Sequence, residues 1–374
     1  MKNIAIIGGG IGGLTTAIAL HRKGFNVEVF ESAKAFGDVG SGINLAINAT
    51  QIFKRLGIYE KVKEAGNIIH SMKVRGKDLS EIITTDFRKM EEEFGVQNIT
   101  IHRYALHQVL LKQLDNVAIH NGKSLLRITE KTRDILLEFD DGTIVNVDLV
   151  IGADGIHSVV RKSLFGDTIL RDANQVCWRG ISSMKDFRQY QNELNEVWEK
   201  GKRFGFVNIN ETDVYWYALI DKNRHKTNTS VHNEFCDFHP DILKILDHTP
   251  KEKIIFNEIW DLKPIKRWQK GKICVLGDAA HATTPNMGQG ACQAIESAWQ
   301  IVESLTLYDD VTEAFTDYQN KRIKRAHYVV NTSWKLGKMA QSNNPFVIAI
   351  RNAIMKMLSN RSKEKQNRKL FKIN

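Results

Sequence analysis

The sequence predicts an α/β fold: a βαβ unit that carries an inserted antiparallel sheet and ends in a helical segment. Three observations predict it. Ile4-Ala5-Ile6-Ile7 is a continuous apolar run, hence a buried strand, and Gly8-Gly9-Gly10-Ile11-Gly12-Gly13 leads from it into a helical pattern and a second strand, Val27-Glu28-Val29-Phe30-Glu31. Two further apolar strands run into small-residue turns: Val147 to Ile151 into Gly152-Ala153-Asp154-Gly155-Ile156-His157-Ser158, and Ile273-Cys274-Val275-Leu276 into Gly277-Asp278. Between them the pattern changes to longer aromatic strands, Cys177-Trp178-Arg179-Gly180-Ile181, Phe204-Gly205-Phe206-Val207-Asn208 and Val214-Tyr215-Trp216-Tyr217-Ala218. These read as a separate sheet inserted into the βαβ unit rather than following it.

In the opening motif Gly8, Gly10 and Gly13 match the dinucleotide fingerprint of a Rossmann-like domain. They permit a tight turn, a close approach of backbone to pyrophosphate, and tight helix–strand packing. The helix N-terminus adds free N–H groups and the positive end of its dipole. Glu31 comes about twenty residues on, where an acid accepts hydrogen bonds from a ribose hydroxyl. This motif alone leaves the dinucleotide undecided.

Gly40-Ser41-Gly42-Ile43-Asn44-Leu45 leads to a helix through Ile52, Phe53 and Leu56, with Gly57 at its end. Residues 68–87 read as strands, and the charged run Arg88 to Glu93 as a surface loop. Ile101-His102-Arg103-Tyr104 starts a helix with Leu106, Val109, Leu110 and Leu114 at helical spacing. Alternation through Leu125, Ile128, Ile135-Leu136-Leu137 and Ile144-Val145 predicts strands, with Asp140-Asp141-Gly142 as a hairpin turn. Helices occupy most of the chain after residue 277.

The 374 residues are enough for two domains, and 42% hydrophobic with 26% charged residues is ordinary for a soluble globular protein. The four cysteines form no CxxC pair, which argues against a zinc site or a disulfide framework and suits a reducing, cytoplasmic setting. The apolar start is broken by the glycine turn, so it reads neither as a signal peptide nor as a membrane span. Residues 351–374 hold eight basic side chains against Glu364 alone and supply +7 of the net charge of +10. No nucleic-acid recognition motif accompanies them. The plain reading is a solvated C-terminal helix with a frayed end. The alternative is weak contact with anionic membrane, since Ile350, Ile354, Met357 and Leu358 can share one face.

The most specific stretch is Gly277-Asp278-Ala279-Ala280-His281-Ala282-Thr283-Thr284-Pro285-Asn286-Met287-Gly288-Gln289-Gly290-Ala291. A buried strand meets an acid that can accept from a sugar or ribityl hydroxyl. An extended segment then leads to Gly-x-Gly opening a helix, whose N-terminus suits an anionic ring. His281 reads as a packed histidine. With Gly8 to Gly13 and Glu31, and with Asp154-Gly155, Ser158 and Arg161, the chain resembles the FAD-dependent aromatic hydroxylases, the class A flavoprotein monooxygenases. Pro285 to Gly290 with Cys292 and Glu296 is most similar to the branch of zeaxanthin epoxidases and of salicylate-type and urate hydroxylases. Cys292 and Ser297 depart from many relatives, which have Asn and Asp there.

The resemblance implies a fold of a Rossmann-like FAD-binding domain (1–70, 100–172 and 265–325), a substrate-binding domain (71–99 and 173–264) and a C-terminal helical segment with the basic tail (326–374). It implies that Gly8, Gly10, Gly12 and Gly13 hold the FAD pyrophosphate, with Glu31 and Ser32 at the adenosine ribose. Ser41 and Gly42 would pass near the flavin, Arg103 near the pyrophosphate and ribityl chain, and Leu125 near the adenine. Asp154 is associated with FAD and with the nicotinamide cofactor. Asp278 would bind pyrophosphate or ribityl, and Pro285, Gly288, Gly290 and Ala291 would lie against the ring. The family mechanism would use NAD(P)H to reduce FAD, then a flavin hydroperoxide to pass one oxygen atom to a small aromatic or conjugated ring. The substrate site is expected between flavin and aromatic sheet, with Arg179, Arg203, Tyr215, Trp216 and Tyr217 as candidates. Arg203 and Tyr215 occupy places similar to a substrate-binding Arg and Tyr of the urate-hydroxylase branch. If Val214 to Ala218 is a strand, Tyr215 and Tyr217 point one way and Trp216 the other. Two alternatives are inactivation of a tetracycline-like compound and a lipid- or prenyl-binding scaffold at a membrane.

Overall fold

The structure, a computed structural model, describes residues 2–37, 41–185, 187–225, 229–357 and 359–373. Gly40 and Leu358, named above, lie outside them. The chain divides into two compact units: Met1–Gly37, His107–Arg171 and Trp260–Ser333; and Asp38–Leu106, Asp172–Ile259 and Trp334–Asn374.

The first unit is built on a six-stranded sheet. From one edge its strands are Gln269–Lys270, Ile273–Val275, Leu149–Gly152, Asn3–Ile7, Asn26–Glu31 and Ala118–Asn121. Every pair is parallel except the first, which is antiparallel. The predicted apolar runs therefore lie at the centre of the sheet, where both faces are covered: Ile4, Ala5, Ile6, Val150, Ile151 and Cys274 have almost no exposed surface. Helix Ile11–Arg22 packs on helix Gly290–Leu307. They approach so closely that a Cβ on Gly12 would stand 2.8 Å from Leu276 Cδ1 and 3.2 Å from Ala294 Cβ. A small antiparallel sheet of Leu125–Glu130, Ile135–Phe139 and Ile144–Val147 carries the predicted hairpin, its Gly142 at φ +83°.

The second unit holds the predicted aromatic sheet. Leu170–Ser183, Asp213–Asp221, Lys202–Asn208 and Glu193–Glu199 run antiparallel in that order. Glu193–Glu199 then pairs in parallel with Ser71–Arg75, which pairs with Glu81–Asp86. One sheet face packs Phe204, Phe206, Val214, Trp216 and Ala218 into a core with helix Pro240–Asp247. Trp216 is fully buried while Tyr215 and Tyr217 are only partly covered, so the expected alternation is present.

Two local expectations are corrected. Arg88 to Glu93 is not a loop but most of helix Arg88–Phe94, closed by Gly95 at φ +66°. It forms because Met90 and Glu91 turn inward, and Glu91 meets His70 Nδ1 at 2.9 Å. The last helix is not free in solvent. Helix Asn360–Phe371 is docked by buried Phe371, edge-on to Phe87 at 5.9 Å, by Gln51 Nε2 donating to the Phe371 carbonyl, and by Arg368 paired with Glu93. Among the described residues no helix is long and apolar enough to cross a membrane.

Candidate active site

In the first unit the glycine turn, the end of the second strand and the segment before the small sheet enclose a cavity of about 310 Å³. Gly8, Gly10, Glu31, Ser32, Leu125 and Asp154 all line it. Six of the predicted cofactor residues thus converge. Gly12 and Gly13 do not line it and serve the packing instead: a Cβ on Gly13 would fall 1.9 Å from the Gly8 carbonyl oxygen. Gly8 itself has φ +106°, and a Cβ there would meet the Ala153 carbonyl oxygen at 2.4 Å. Gly10 differs from both. Its backbone is ordinary, φ −72°, and an added Cβ would find no protein atom within 4 Å. No contact within the protein requires glycine there.

Glu31 is held by the turn it serves. Its Oε2 accepts the Gly9 N–H at 2.6 Å, and its Oε1 accepts the Ala33 N–H at 2.8 Å and the Ser32 hydroxyl at 3.1 Å. A carboxylate has about four acceptor positions, so one remains for a ribose hydroxyl. Helix Ile11–Arg22 begins at Gly10 with no side chain capping it, which leaves its first-turn N–H groups for an anion. Open space at Gly10, an uncapped helix end and a fixed acid suit the adenosine and phosphate part of FAD.

The second and third motifs are tied together by Arg161. It donates to the Ile156 carbonyl at 2.6 Å, to Thr168 Oγ1 at 2.9 Å and to the Ala279 carbonyl at 3.0 Å. Asp154 accepts from the Ser158 hydroxyl at 2.5 Å and from the Val160 N–H at 3.0 Å, so its side chain braces the start of helix Val159–Phe165. Burial pushes its carboxyl up. Asp278 is exposed at the start of the short helix Asp278–His281. Pro285 opens a 3-10 turn, Gly288 comes next in the left-handed region at φ +60°, and Gly290 and Ala291 begin helix Gly290–Leu307, whose N-terminus no side chain caps. Glu296 locks that helix from behind, buried between Arg322 and Arg325. His281 is packed: its Nε2 lies 3.0 Å from Ser297 Oγ, and burial lowers it to about 3.

Ser41, Gly42 and Arg103 belong to the second unit, where they meet the tyrosine predicted for the substrate. The Arg103 N–H donates to the Ser41 carbonyl at 2.9 Å, and Gly42 lies flat on Tyr215, where a Cβ would meet the ring at 2.5 Å. Burial pushes the Tyr215 hydroxyl up to about 12, against the charges of Arg179 and Arg103. Arg179 and Tyr215 are diagonal neighbours on the face opposite the core. The buried Arg179 Nε–H finds no acceptor among the described residues.

Arg203 is on the same face but almost fully buried, donating to Glu196 at 3.3 Å and to Gln341 at 3.1 Å. Its charge is compensated by Glu196. Sequence reasoning named neither Glu196 nor Gln341, nor Lys123 and Ser124 in the cavity at the glycine turn. For Lys123 and Ser124 the signal was adjacency to Leu125; for Gln341, about 140 residues from Arg203, there was none.

Comparison with known proteins points the same way. Residues 1–333 match the family described as FAD binding domain. The chain is 34% identical over 363 residues to aurachin C monooxygenase/isomerase of Stigmatella aurantiaca, covering 95% of this chain and 94% of that protein. It is 29% identical over 381 residues to 2-heptyl-3-hydroxy-4(1H)-quinolone synthase of Pseudomonas aeruginosa, covering 98% and 97%. The solved structure of an HpxO variant from Klebsiella pneumoniae complexed with FAD has a TM-score of 0.92, covering 99% of this chain and 98% of that one. At 22% identity that likeness speaks to the fold.

Proposed function

From a chain that belongs to the FAD-dependent aromatic hydroxylase family, with FAD as its cofactor, we infer an NAD(P)H-dependent monooxygenase that inserts one oxygen atom into a small aromatic or conjugated ring. Bound FAD supplies the redox chemistry, taking electrons from a reduced nicotinamide and activating dioxygen. The protein contributes binding, orientation and charge. Glu31, Gly10 and the first turn of helix Ile11–Arg22 hold the adenosine and phosphates, while the helix beginning at Gly290 offers its N-terminal N–H groups to the anionic ring.

The observation that carries the substrate reading is the Arg179 guanidinium beside Tyr215, whose Nη2 donates to Asn257 at 3.2 Å while its Nε–H finds no acceptor among the described residues. The Nε–H has essentially no exposed surface, so a substrate oxygen is proposed to meet the outer N–H groups of the guanidinium, where a hydrogen bond to a charged donor contributes about 1.5–3 kcal/mol. Tyr215, neutral at physiological pH, is the proposed hydrogen-bond donor to that oxygen. The charges of Arg179 and Arg103 favour an anionic, electron-rich substrate. Arg203, neutralised by Glu196, is proposed as a positioning residue for Tyr217.

The relative that makes a 3-hydroxylated 2-heptyl-4(1H)-quinolone, similar along almost the whole chain, makes 2-alkyl-4(1H)-quinolones the first compounds to test. NADH or NADPH is added to FAD-loaded protein with and without quinolone, and the yellow absorbance and products are monitored. Faster bleaching with substrate, and a product carrying one added oxygen, are expected. Tetracyclines form the comparison arm. No bleaching with either nicotinamide, or oxygen consumption that yields only hydrogen peroxide with every ring compound, would refute the reading.

A further inference from the structure

We propose that helix Pro345–Met357 is a membrane-docking element that seats the protein on an anionic lipid surface. This goes beyond the oxygenase reading and does not rest on it. One side of the helix is fixed to its own unit: Arg351 is buried 4.9 Å over the Trp198 ring and donates to the Ala340 carbonyl, and Met355 joins the cluster of Val74, Trp198 and Ala340. The other side carries Phe346, Val347, Ile350, Ile354 and Met357, exposed by 81, 42, 60, 56 and 83%. At about 100° per residue these five span a single arc, with Ala349 and Ala353 at its border and no charged residue within it. Soluble proteins scatter exposed apolar side chains singly; a contiguous stripe of this size marks a surface that something covers.

Charge selects the occupant. The next helix, Asn360–Phe371, contributes Arg361, Lys363, Lys365, Arg368 and Lys369, and Lys372 comes after it. Arg361 and Lys365 are exposed and enter no ion pair among the described residues, and Lys356, beyond the Ala349 and Ala353 border of the arc, is in the same condition. An apolar stripe next to a strongly basic segment combines the two signals that hold an interfacial helix on a bilayer: apolar insertion and attraction to acidic headgroups. The same positive charge opposes a self-complementary contact between two copies of this segment. Among the described residues no helix is long and apolar enough to span, so the element lies in the interface plane.

The test sediments FAD-loaded full-length protein with vesicles of phosphatidylcholine alone or mixed with phosphatidylglycerol, at low and high salt. Binding is expected only with phosphatidylglycerol and should fall with salt. Ile350→Glu/Ile354→Glu should reduce the bound fraction at least about tenfold, and Arg361→Glu/Lys365→Glu should weaken it severalfold. All four positions are exposed, so melting temperature and FAD content should match wild type. Equal binding to both vesicle types, wild-type binding by the Ile350→Glu/Ile354→Glu variant, or no binding at all would overturn the proposal. So would a dimer in sedimentation velocity that the same variant dissociates, without vesicle binding, which would make the stripe an interface between copies.

Discussion

Replacing Gly10 by alanine separates a glycine required by the ligand from one required by the fold. The Gly10 backbone, φ −72° and ψ 179°, is open to any residue, and the added methyl meets no protein atom within 4 Å. Without FAD, two small effects oppose each other. Alanine restricts the unfolded chain, which stabilises by about 0.4–1 kcal/mol, and it is a poorer helix N-cap than glycine by a similar amount. The apo melting temperature should stay within about 3 °C of wild type. With FAD, the methyl is expected to intrude on the space proposed for the pyrophosphate beside the first-turn N–H groups. Each such bond to a charged acceptor contributes about 1.5–3 kcal/mol, so loss of one or two weakens FAD by about 3 kcal/mol, roughly 100-fold in Kd. Gly13→Ala should behave oppositely. Its Cβ would stand 1.9 Å from the Gly8 carbonyl oxygen, a backbone atom, so the turn must open at a cost of about 3 kcal/mol or more before any ligand is added. Apo melting by differential scanning fluorimetry and flavin fluorescence titration measure the two quantities independently. Wild-type FAD affinity in Gly10→Ala, or an apo melting loss as large as that of Gly13→Ala, would refute the reasoning.

Glu31→Gln removes the charge and part of the acceptor capacity that Gly9, Ser32 and Ala33 use, so FAD Kd should rise about 10- to 100-fold in the same titration. The unfolded His281 imidazole protonates near 6.5, whereas burial holds it at about 3 in the fold. Between those values the unfolded chain binds the extra proton, so the contribution is complete above pH 6.5, costs about 2 kcal/mol by pH 5 and is lost near pH 3. Melting from pH 7 to pH 5 should fall less steeply in His281→Asn than in wild type. Arg203→Met leaves Glu196 buried without its partner and should destabilise by about 3–5 kcal/mol in urea unfolding, while Arg203→Met/Glu196→Met should recover most of that loss. Tyr215→Phe should melt like wild type yet lose about tenfold in kcat/KM on whichever ring compound the oxygenase assay shows to be turned over; an unchanged value would remove Tyr215 from the site.

The cavity at the glycine turn was legible because its requirements are local. Gly8 must take a positive φ, Gly10 must leave room, and Glu31 must end the neighbouring strand; each requirement imposes a residue type at a set spacing. The aromatic strands were legible for a similar reason, since alternation along one strand already divides Trp216 from Tyr215 and Tyr217. Glu193–Glu199 was harder. Its parallel partner Ser71–Arg75 lies more than 100 residues away, and pairing across that separation leaves no mark in either segment.

By itself, then, the sequence determined the FAD-binding framework, the inserted sheet and the group of residues that could serve the cofactor, because strand burial, turn geometry and helix starts are decided within a few residues. The tertiary structure alone decided which of those residues face a cavity and which face the protein. It turned Gly13 toward packing and Gly10 toward open space, set Arg161 between two motifs, neutralised Arg203 with Glu196, and left the Arg179 Nε–H without an acceptor among the described residues. Charge compensation and burial depend on what arrives from elsewhere in the chain, and only folding brings those partners together.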